Sequence, residues 1–151
     1  MAQAQRAHNK KLSARLQERQ ANRRNDRNHK ISRKLVENYK TIFYSDDNFK
    51  GMAKIFGKSV SEAGLGDLIG KLDYKCRVGG RRLEGKNSKH STMTCSACGA
   101  LTGPIGLSGL EVRQWVCSAC GSIWDRDYNS SLNILNAGLG ISHERGIKHV
   151  A

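Results

Sequence analysis

Four cysteines of the 151-residue chain could hold one metal ion. They form two Cys-x-x-Cys pairs, Cys95 with Cys98 and Cys117 with Cys120, and a glycine follows each pair. This ligand count and spacing are typical of a zinc ribbon, because a two-residue gap lets a tight turn aim both sulfurs at one tetrahedral ion. A site closed by four thiolates predicts a structural zinc ion, which would not activate water.

Residues around the two pairs indicate how such a ribbon would be held. Gly99 and Gly121 stand where each turn needs a positive φ angle, which glycine adopts at little cost. Trp115 and Trp124 flank the second pair, and they either pack the ribbon or form a stacking platform for bases. The fifth cysteine, Cys76, lies alone on the apolar side of a predicted helix, which indicates a small buried side chain and not a further ligand.

Basic residues are concentrated near the beginning of the chain. Lys and Arg number 26 against 13 Asp and Glu, which gives a formal net charge of +13. Within residues 1–40, only Glu18, Asp26 and Glu37 oppose a series of Lys and Arg. This charge predicts a partner with a phosphate backbone. The candidate nucleic-acid contacts are Arg15, Arg19, Arg23, Arg24, Arg27, Lys30, Lys34, Lys50 and Lys75.

The rest of the composition favours an intracellular setting. The sequence has no apolar run long enough to span a membrane and no apolar segment typical of a secretory signal. We therefore expect a cytoplasmic protein with reduced cysteines. The odd number of cysteines also argues against a closed set of disulfides.

The elements that must position these residues follow from propensity and periodicity. Residues 2–38 lack Pro and Gly and predict a helical arm, formed by two helices or by one helix with a bend near the Asn-rich segment 22–29. The other predicted elements are a strand over 40–45, a loop over 46–59, an amphipathic helix over 61–77, a turn and short strand over 79–86, and a helix over 127–139.

After the second cysteine pair the sequence resembles a known family. The string Asp-Arg-Asp-x-Asn, which contains Asp125, Asp127 and Asn129, follows the ribbon and leads into an apolar helix. A ribbon followed by this string resembles the transposon-encoded TnpB/OrfB proteins, which are related to the type V CRISPR effector nucleases. The stretch SDDNFKGM at 45–52 also looks like the family's Glu-Asp-Leu-Asn-x-Lys-Gly-Met motif. By composition alone, the two aspartates would instead cap the helix and favour its dipole.

The resemblance implies an α/β fold and a division of the chain. The expected fold is part of an RNase H-like domain of the RuvC type, with the four-cysteine zinc ribbon inserted before the last helix. The expected parts are a basic helical arm (1–38), a RuvC-like strand–helix–strand part (39–86), the ribbon (87–124), the last RuvC-like helix (125–139) and a loose tail (140–151).

The resemblance also implies a two-metal nuclease site that this sequence matches in part. The family uses three carboxylates to hold divalent ions such as Mg²⁺. Asp127 matches the last carboxylate, with Asp125 as a less suitable substitute. The middle glutamate falls on Ser45, and Asp47 shares the face of Ser45 if the strand continues. The first aspartate is expected upstream of the basic arm, outside this chain.

Three functions remain open from the sequence. The first is a shortened, catalytically defective TnpB-like protein that binds a guide-like RNA and DNA, alone or within a larger effector complex. The second is a subunit of a split RuvC-type DNA endonuclease, whose missing strands and first aspartate come from another chain. The third is a transposon remnant without a selected activity. An uncovered edge of the 40–45 strand predicts a second polypeptide or self-association.

Overall fold

The structure is a computed structural model that describes residues 9–48, 51, 52, 54 and 57–141. The expectations for residues 1–8, for Lys50 and for the tail beyond 141 lie outside the described residues. The chain divides into two compact units. The first comprises 1–42 with 48–83, and the second comprises 43–47 with 84–151.

The first unit is built on a long helix, α1, which spans Lys10–Asn38. The side chain of Asn9 caps it by accepting a hydrogen bond from the Leu12 N–H at 3.0 Å. The helix is continuous through the Asn-rich segment, so the predicted alternative of two helices is wrong over the described residues. Asn28 and Ser32 are buried on the face that packs against helix α3, Leu65–Val78.

The single helix predicted over 61–77 is wrong, because the segment forms two helices. Helix α2 spans Lys58–Ala63 and begins inside the segment expected to be a loop. Gly64, with a φ of 64°, both ends α2 and precedes the first residue of α3. This left-handed conformation strains any residue with a Cβ, so glycine breaks the helix at little cost. Cys76 of α3 is 2% exposed, which confirms the expected small buried side chain.

A two-stranded sheet contributes residues to both units. Strand β1 spans Thr41–Ser45 and strand β2 spans Arg82–Lys86. The N–H of Arg82 donates to the Lys40 carbonyl near the start of both strands, and the N–H of Asp46 donates to the Lys86 carbonyl near their ends. The two strands are therefore parallel. Among the described residues β1 pairs with β2 alone, and the partner expected at its other edge stays a prediction.

The second unit joins a hairpin to a final helix. Strands β3, Gln114–Val116, and β4, Ile123–Asp125, are antiparallel, with Trp115 opposite Trp124. Helix α4 spans Arg126–Leu139, close to the predicted 127–139. None of the helices in the described part of the chain is long and apolar enough to cross a membrane.

Helical periodicity predicts an apolar side of α4 that carries Leu132, Leu135 and Leu139, but the buried side of the helix is different. Asn129 and Ile134 are its buried residues, whereas Leu135 and Leu139 are exposed. Near the end of the helix, a Cβ added to Gly138 would lie 2.4 Å from the Phe43 ring. Glycine therefore allows the ring to lie directly against the helix backbone.

Candidate metal centre and nucleic-acid interface

The two Cys-x-x-Cys pairs fold into turns with the same hydrogen-bond pattern. In the first turn the Gly99 N–H donates to the Cys95 carbonyl at 2.8 Å, and in the second the Gly121 N–H donates to the Cys117 carbonyl at 2.8 Å. Both glycines have positive φ angles, 79° and 76°. The sequence-based prediction for these glycines is confirmed, and the duplicated sequence produces duplicated geometry.

The four sulfurs form the one group of three or more potential metal ligands found among the described residues. All four Sγ atoms lie within 4.8 Å of one another. The Cys95 and Cys120 sulfurs are 3.8 Å apart, and the Cys98 and Cys117 sulfurs are 3.7 Å apart. A tetrahedron with Zn–S bonds of about 2.3 Å has edges of about 3.8 Å, whereas a disulfide requires about 2.05 Å. The sulfur arrangement therefore fits a tetrahedral metal ion and excludes disulfides in this conformation.

Both tryptophans contribute to the packing around the sulfurs. Cys95 is 0% exposed, Cys117 is 1% exposed and Trp115 is 8% exposed, and together they form a small buried cluster. Trp124 packs against the cluster and donates from Nε1 to the Cys95 sulfur at 3.2 Å. The packing interpretation of the two tryptophans is therefore the one observed.

Hydrogen bonds distribute charge unevenly among the four thiols. Burial alone would raise the pKa of Cys117, but hydrogen bonds from Thr102 and from backbone N–H groups lower that pKa to about 6. At Cys98 the backbone N–H of Ala100 lowers the pKa, but burial and the neighbouring sulfurs raise it to about 12. Thiolates packed this closely repel one another, so one thiol keeps its proton until a cation replaces it.

The start of helix α4 is attached to the first cysteine turn. Asn129 is fully buried, and its Oδ1 accepts a hydrogen bond from the Ser96 N–H at 2.9 Å. Its Nδ2 donates to the Thr94 carbonyl at 2.7 Å. Asn133, one helical turn on, donates to the same carbonyl at 2.7 Å and to the Ser91 carbonyl at 2.8 Å. The sequence alone indicates no role for these asparagines, because an amide's partners depend on the tertiary fold.

Asp125 acts as the N-cap of α4. Its Oδ1 accepts hydrogen bonds from the Asp127 N–H at 3.0 Å and from the Tyr128 N–H at 2.9 Å. This is the capping role that composition predicts for one of the two aspartates.

Asp127 is exposed and lies beside two guanidinium groups. Its Oδ1 accepts from Arg126 Nη2 at 3.0 Å, and its Oδ2 lies 3.4 Å from Arg113 Nη1. The Arg126 side chain is 13% exposed and also donates to the Gly109 carbonyl at 2.8 Å. The Asp127 carboxylate therefore has cationic partners on both oxygens.

Ser45 and Asp47 are in direct contact at the end of β1. The Ser45 hydroxyl donates to Asp47 Oδ2 at 2.7 Å, and the Ser88 hydroxyl donates to Asp47 Oδ1 at 2.5 Å. Within the described residues, Asp47, Asp125 and Asp127 do not form a three-carboxylate cluster. The role of these aspartates in catalysis stays a prediction.

Five of the predicted nucleic-acid contacts lie on one exposed face of α1. At 100° per residue they fall within about 100° of arc, opposite the buried Asn28 and Ser32. This surface, called the basic face below, comprises Arg15, Arg19, Arg23, Lys30 and Lys34. Two acids on the same side of α1 partly offset this charge, because Asp26 pairs with Lys30 at 2.8 Å and Glu37 pairs with Arg33 at 2.9 Å.

The remaining predicted contacts within the described residues, Arg24, Arg27 and Lys75, interact with other parts of the first unit. Arg27 Nη2 donates to the Ala63 carbonyl at 2.6 Å. The Arg24 side chain lies against Gly64, where an added Cβ would approach its Cδ to 2.5 Å. Lys75 donates to the His29 carbonyl and to the Ser32 hydroxyl, both at 2.7 Å. Burial, followed by the charge of Arg33, lowers the pKa of Lys75.

A groove of about 620 Å³ runs between α1 and the end of α3. Tyr74, which is 46% exposed, and Val78, which is 87% exposed, contribute apolar surface to it. Lys30 and Arg33 stand on its α1 side. Proteins that bind single-stranded nucleic acids combine exposed aromatic rings, on which bases stack, with cationic side chains that contact phosphates.

The fold and the cysteine centre thus define an α/β protein that carries a four-cysteine ribbon closed by a helix. Residues 66–134 match the family "Cas12f1-like, TNB domain". A Streptomyces pristinaespiralis protein described as "Putative RNA-guided DNA endonuclease" is 36% identical over 132 residues, which are 85% of this chain and 32% of that protein. TnpB-like protein L79 of Acanthamoeba polyphaga mimivirus is 30% identical over 129 residues, 78% of this chain and 23% of that protein.

A solved structure supports the same relationship at the level of the fold. A chain in the "Cryo-EM structure of the Cas12f1-sgRNA-target DNA complex" aligns with a TM-score of 0.67 and 18% identity, over 91% of this chain and 40% of that one. These findings confirm the resemblance, and the chain is related to the TnpB and Cas12f1-like proteins. It spans about a third or less of the length of these two curated relatives.

Proposed function

We propose that the chain is a nucleic-acid-binding TnpB-like protein whose basic face contacts phosphates and whose ribbon holds a structural zinc ion. The observation that supports this most directly is the alignment of five cationic side chains on one exposed side of α1, opposite its buried face. The partners we propose are RNA and DNA, in line with the guide RNA and target DNA named for the Cas12f1 structure. Base pairing would supply the specificity, while the protein reads backbone and shape.

A charge-matched pair of variants tests the basic face. Arg19→Gln with Lys34→Gln removes two cations from the face, and Arg77→Gln with Lys89→Gln removes the same two residue types elsewhere. We expect the first pair to weaken binding of all sequences alike and to reduce the slope of log K against log salt by about 1.5, since each lost phosphate contact accounts for about 0.7 to 0.9. Equal effects from both pairs would mean that net charge, and not this face, binds nucleic acid.

We also propose that the chain is catalytically defective. The resemblance of residues 45–52 to the family motif implies Ser45 at the position of the middle carboxylate, and both oxygens of Asp47 already accept hydrogen bonds from hydroxyls. Mg²⁺ keeps its waters tightly and is held weakly by isolated carboxylates. Ser45 offers no carboxylate at the middle position, so Asp127 lacks a partner that two-metal hydrolysis needs.

Cleavage of single- and double-stranded DNA with Mg²⁺ or Mn²⁺ measures this directly. We expect no cleavage above background from the purified chain, and no difference between the unmodified protein and Asp127→Ala. Metal-dependent cleavage that disappears in Asp127→Ala would overturn the proposal. Activity that survives in that variant would identify a contaminating nuclease.

A further inference from the structure

Asn129 belongs to the Asp-Arg-Asp-x-Asn string, but it is neither a cysteine ligand of the metal centre nor one of the carboxylates that the resemblance implies. It is fully buried, at 0% exposure, on the first turn of α4. Buried asparagines are uncommon unless their amide groups are hydrogen-bonded. Its partners therefore indicate what the residue is for.

The carboxamide of Asn129 forms hydrogen bonds with the residues on both sides of Cys95. Its Oδ1 accepts from the N–H of Ser96, the residue after the cysteine, at 2.9 Å. Its Nδ2 donates to the carbonyl of Thr94, the residue before the cysteine, at 2.7 Å. One planar group thus holds the backbone on both sides of a buried metal ligand.

This contact requires the particular chemistry of asparagine. The Ser96 N–H needs an acceptor and the Thr94 carbonyl needs a donor, and both must come from one short side chain. Aspartate has the same shape but offers two acceptors when ionised, so it would face the Thr94 carbonyl with an oxygen. Alanine would leave both backbone groups without this partner, which is costly where they are shielded from water.

These two hydrogen bonds also connect the cysteine centre to the helical turn that carries Asp127, two residues before Asn129. We propose that Asn129 is a positioning residue that couples metal occupancy at Cys95 to the order of the first turn of α4. In this arrangement the ion fixes the Cys95 turn, and Asn129 passes that constraint to the helix that carries Asp127. The inference rests on the proposed zinc site, and hydrogen bonds to the surroundings of a ligand tune metal sites in this way.

The first test compares Asn129→Asp with Asn133→Ala, a neighbour that contacts the Thr94 carbonyl but not Ser96. Zinc affinity is measured by chelator competition, and Co²⁺ absorption reports the thiolate geometry. We expect Asn129→Asp to weaken zinc binding about 10- to 100-fold and to change the Co²⁺ spectrum. We expect a smaller loss and an unchanged spectrum in Asn133→Ala. Unchanged affinity and spectrum in a folded Asn129→Asp protein would overturn the proposal.

A second measurement uses the unmodified chain and does not depend on a variant that folds. On zinc addition, the amide protons of residues 127–130 and the side-chain amide of Asn129 should exchange more slowly with solvent, in step with metal binding. Exchange that is independent of zinc would reject the coupling while leaving the metal site intact. Failure of the unmodified protein to bind zinc or Co²⁺ would reject the metal centre itself.

Discussion

The two units of the molecule stabilise their interiors by different means. In the first unit, α1 packs on α3 along a polar seam, in which Asn28 donates to the Gly64 carbonyl at 3.0 Å and to Asp67 at 2.8 Å. In the second unit, Cys95, Cys117 and Trp115 form a small buried cluster beside a potential metal position. Each unit replaces much of an apolar core with directed interactions, which are hydrogen bonds in the first and, with the proposed zinc ion, thiolate ligation in the second.

This difference means that separate agents should disrupt the two units. A hydrogen-bonded seam loses free energy when a buried partner is removed, typically about 1 to 3 kcal/mol for each unsatisfied group. A metal-centred module loses much more, because structural zinc binding contributes on the order of 10 kcal/mol to folding. Helix formation should therefore survive conditions that unfold the ribbon.

The largest effect is expected from Cys98→Ser or from a strong chelator. Either change should remove most of the metal-binding free energy and unfold the ribbon, while α1 remains helical. Both tryptophans of the chain lie in the ribbon, so their fluorescence reports this unit, and circular dichroism reports the helices. Ser118→Ala, an exposed change between Cys117 and Cys120, is the control and should leave one zinc per chain. Tryptophan fluorescence that does not respond to zinc removal would contradict the distinction between the units.

An intermediate effect is expected from Asn28→Ala in the polar seam. The change leaves the Gly64 carbonyl without that donor and should cost about 1 to 3 kcal/mol. Urea unfolding followed by helical circular dichroism measures the loss. Asn25→Ala, on an exposed position of the same helix, should cost much less. If Asn28→Ala lowers zinc affinity as strongly as it lowers helix stability, the two units are not independently stabilised.

The smallest effect concerns Asp67 and pH. The hydrogen bond from Lys71, followed by that from Asn28, lowers the pKa of Asp67 below its ordinary value of 3.8. A carboxyl group with a lowered folded-state pKa stabilises the fold above its ordinary pKa and loses that contribution as pH falls through the folded-state value. Helix stability should therefore decline below about pH 4, and modestly, because the Asp67 side chain is 46% exposed.

The pH experiment has its own control. Asp67→Asn should flatten this part of the stability profile, whereas Asp73→Asn, a change to another acid of α3, should preserve it. Equal acid sensitivity in the two variants would show that Asp67 is not the titrating group.

Short-range patterns predicted several features of this structure. The cysteine spacing, the positive φ angles at Gly99 and Gly121 and the extent of α4 all depend on a few neighbouring residues, and they were visible in the sequence. The break at Gly64 was missed because a glycine inside a helical pattern is often tolerated. The Asn-rich segment of α1 predicts a weak helix, because helix propensity is a local property. It does not include the hydrogen bonds that Asn28 donates to residues 36 and 39 positions away.

The candidate site shows the same division between local and tertiary information. Four cysteines at zinc-ribbon spacing predict a metal centre from the sequence alone. The two hydrogen bonds of Asn129 on either side of Cys95 were not predictable, because they join its side chain to backbone atoms 33 and 35 residues earlier. The basic face follows from helical periodicity. The hydrogen bonds of Arg27 and Lys75 with other helices depend instead on where α2 and α3 pack.

The unequal burial of the four cysteines also has a kinetic consequence. Cys95 and Cys117 are buried, Cys98 is intermediate and Cys120 is exposed, although the two turns have the same backbone pattern. An incoming ligand or alkylating reagent therefore reaches the centre through Cys120, and metal exchange should begin with detachment of that sulfur. In zinc-loaded protein, mass spectrometry should find the first label on Cys120 and the last on Cys95, and simultaneous labelling of all four would show that the centre opens by unfolding as a whole.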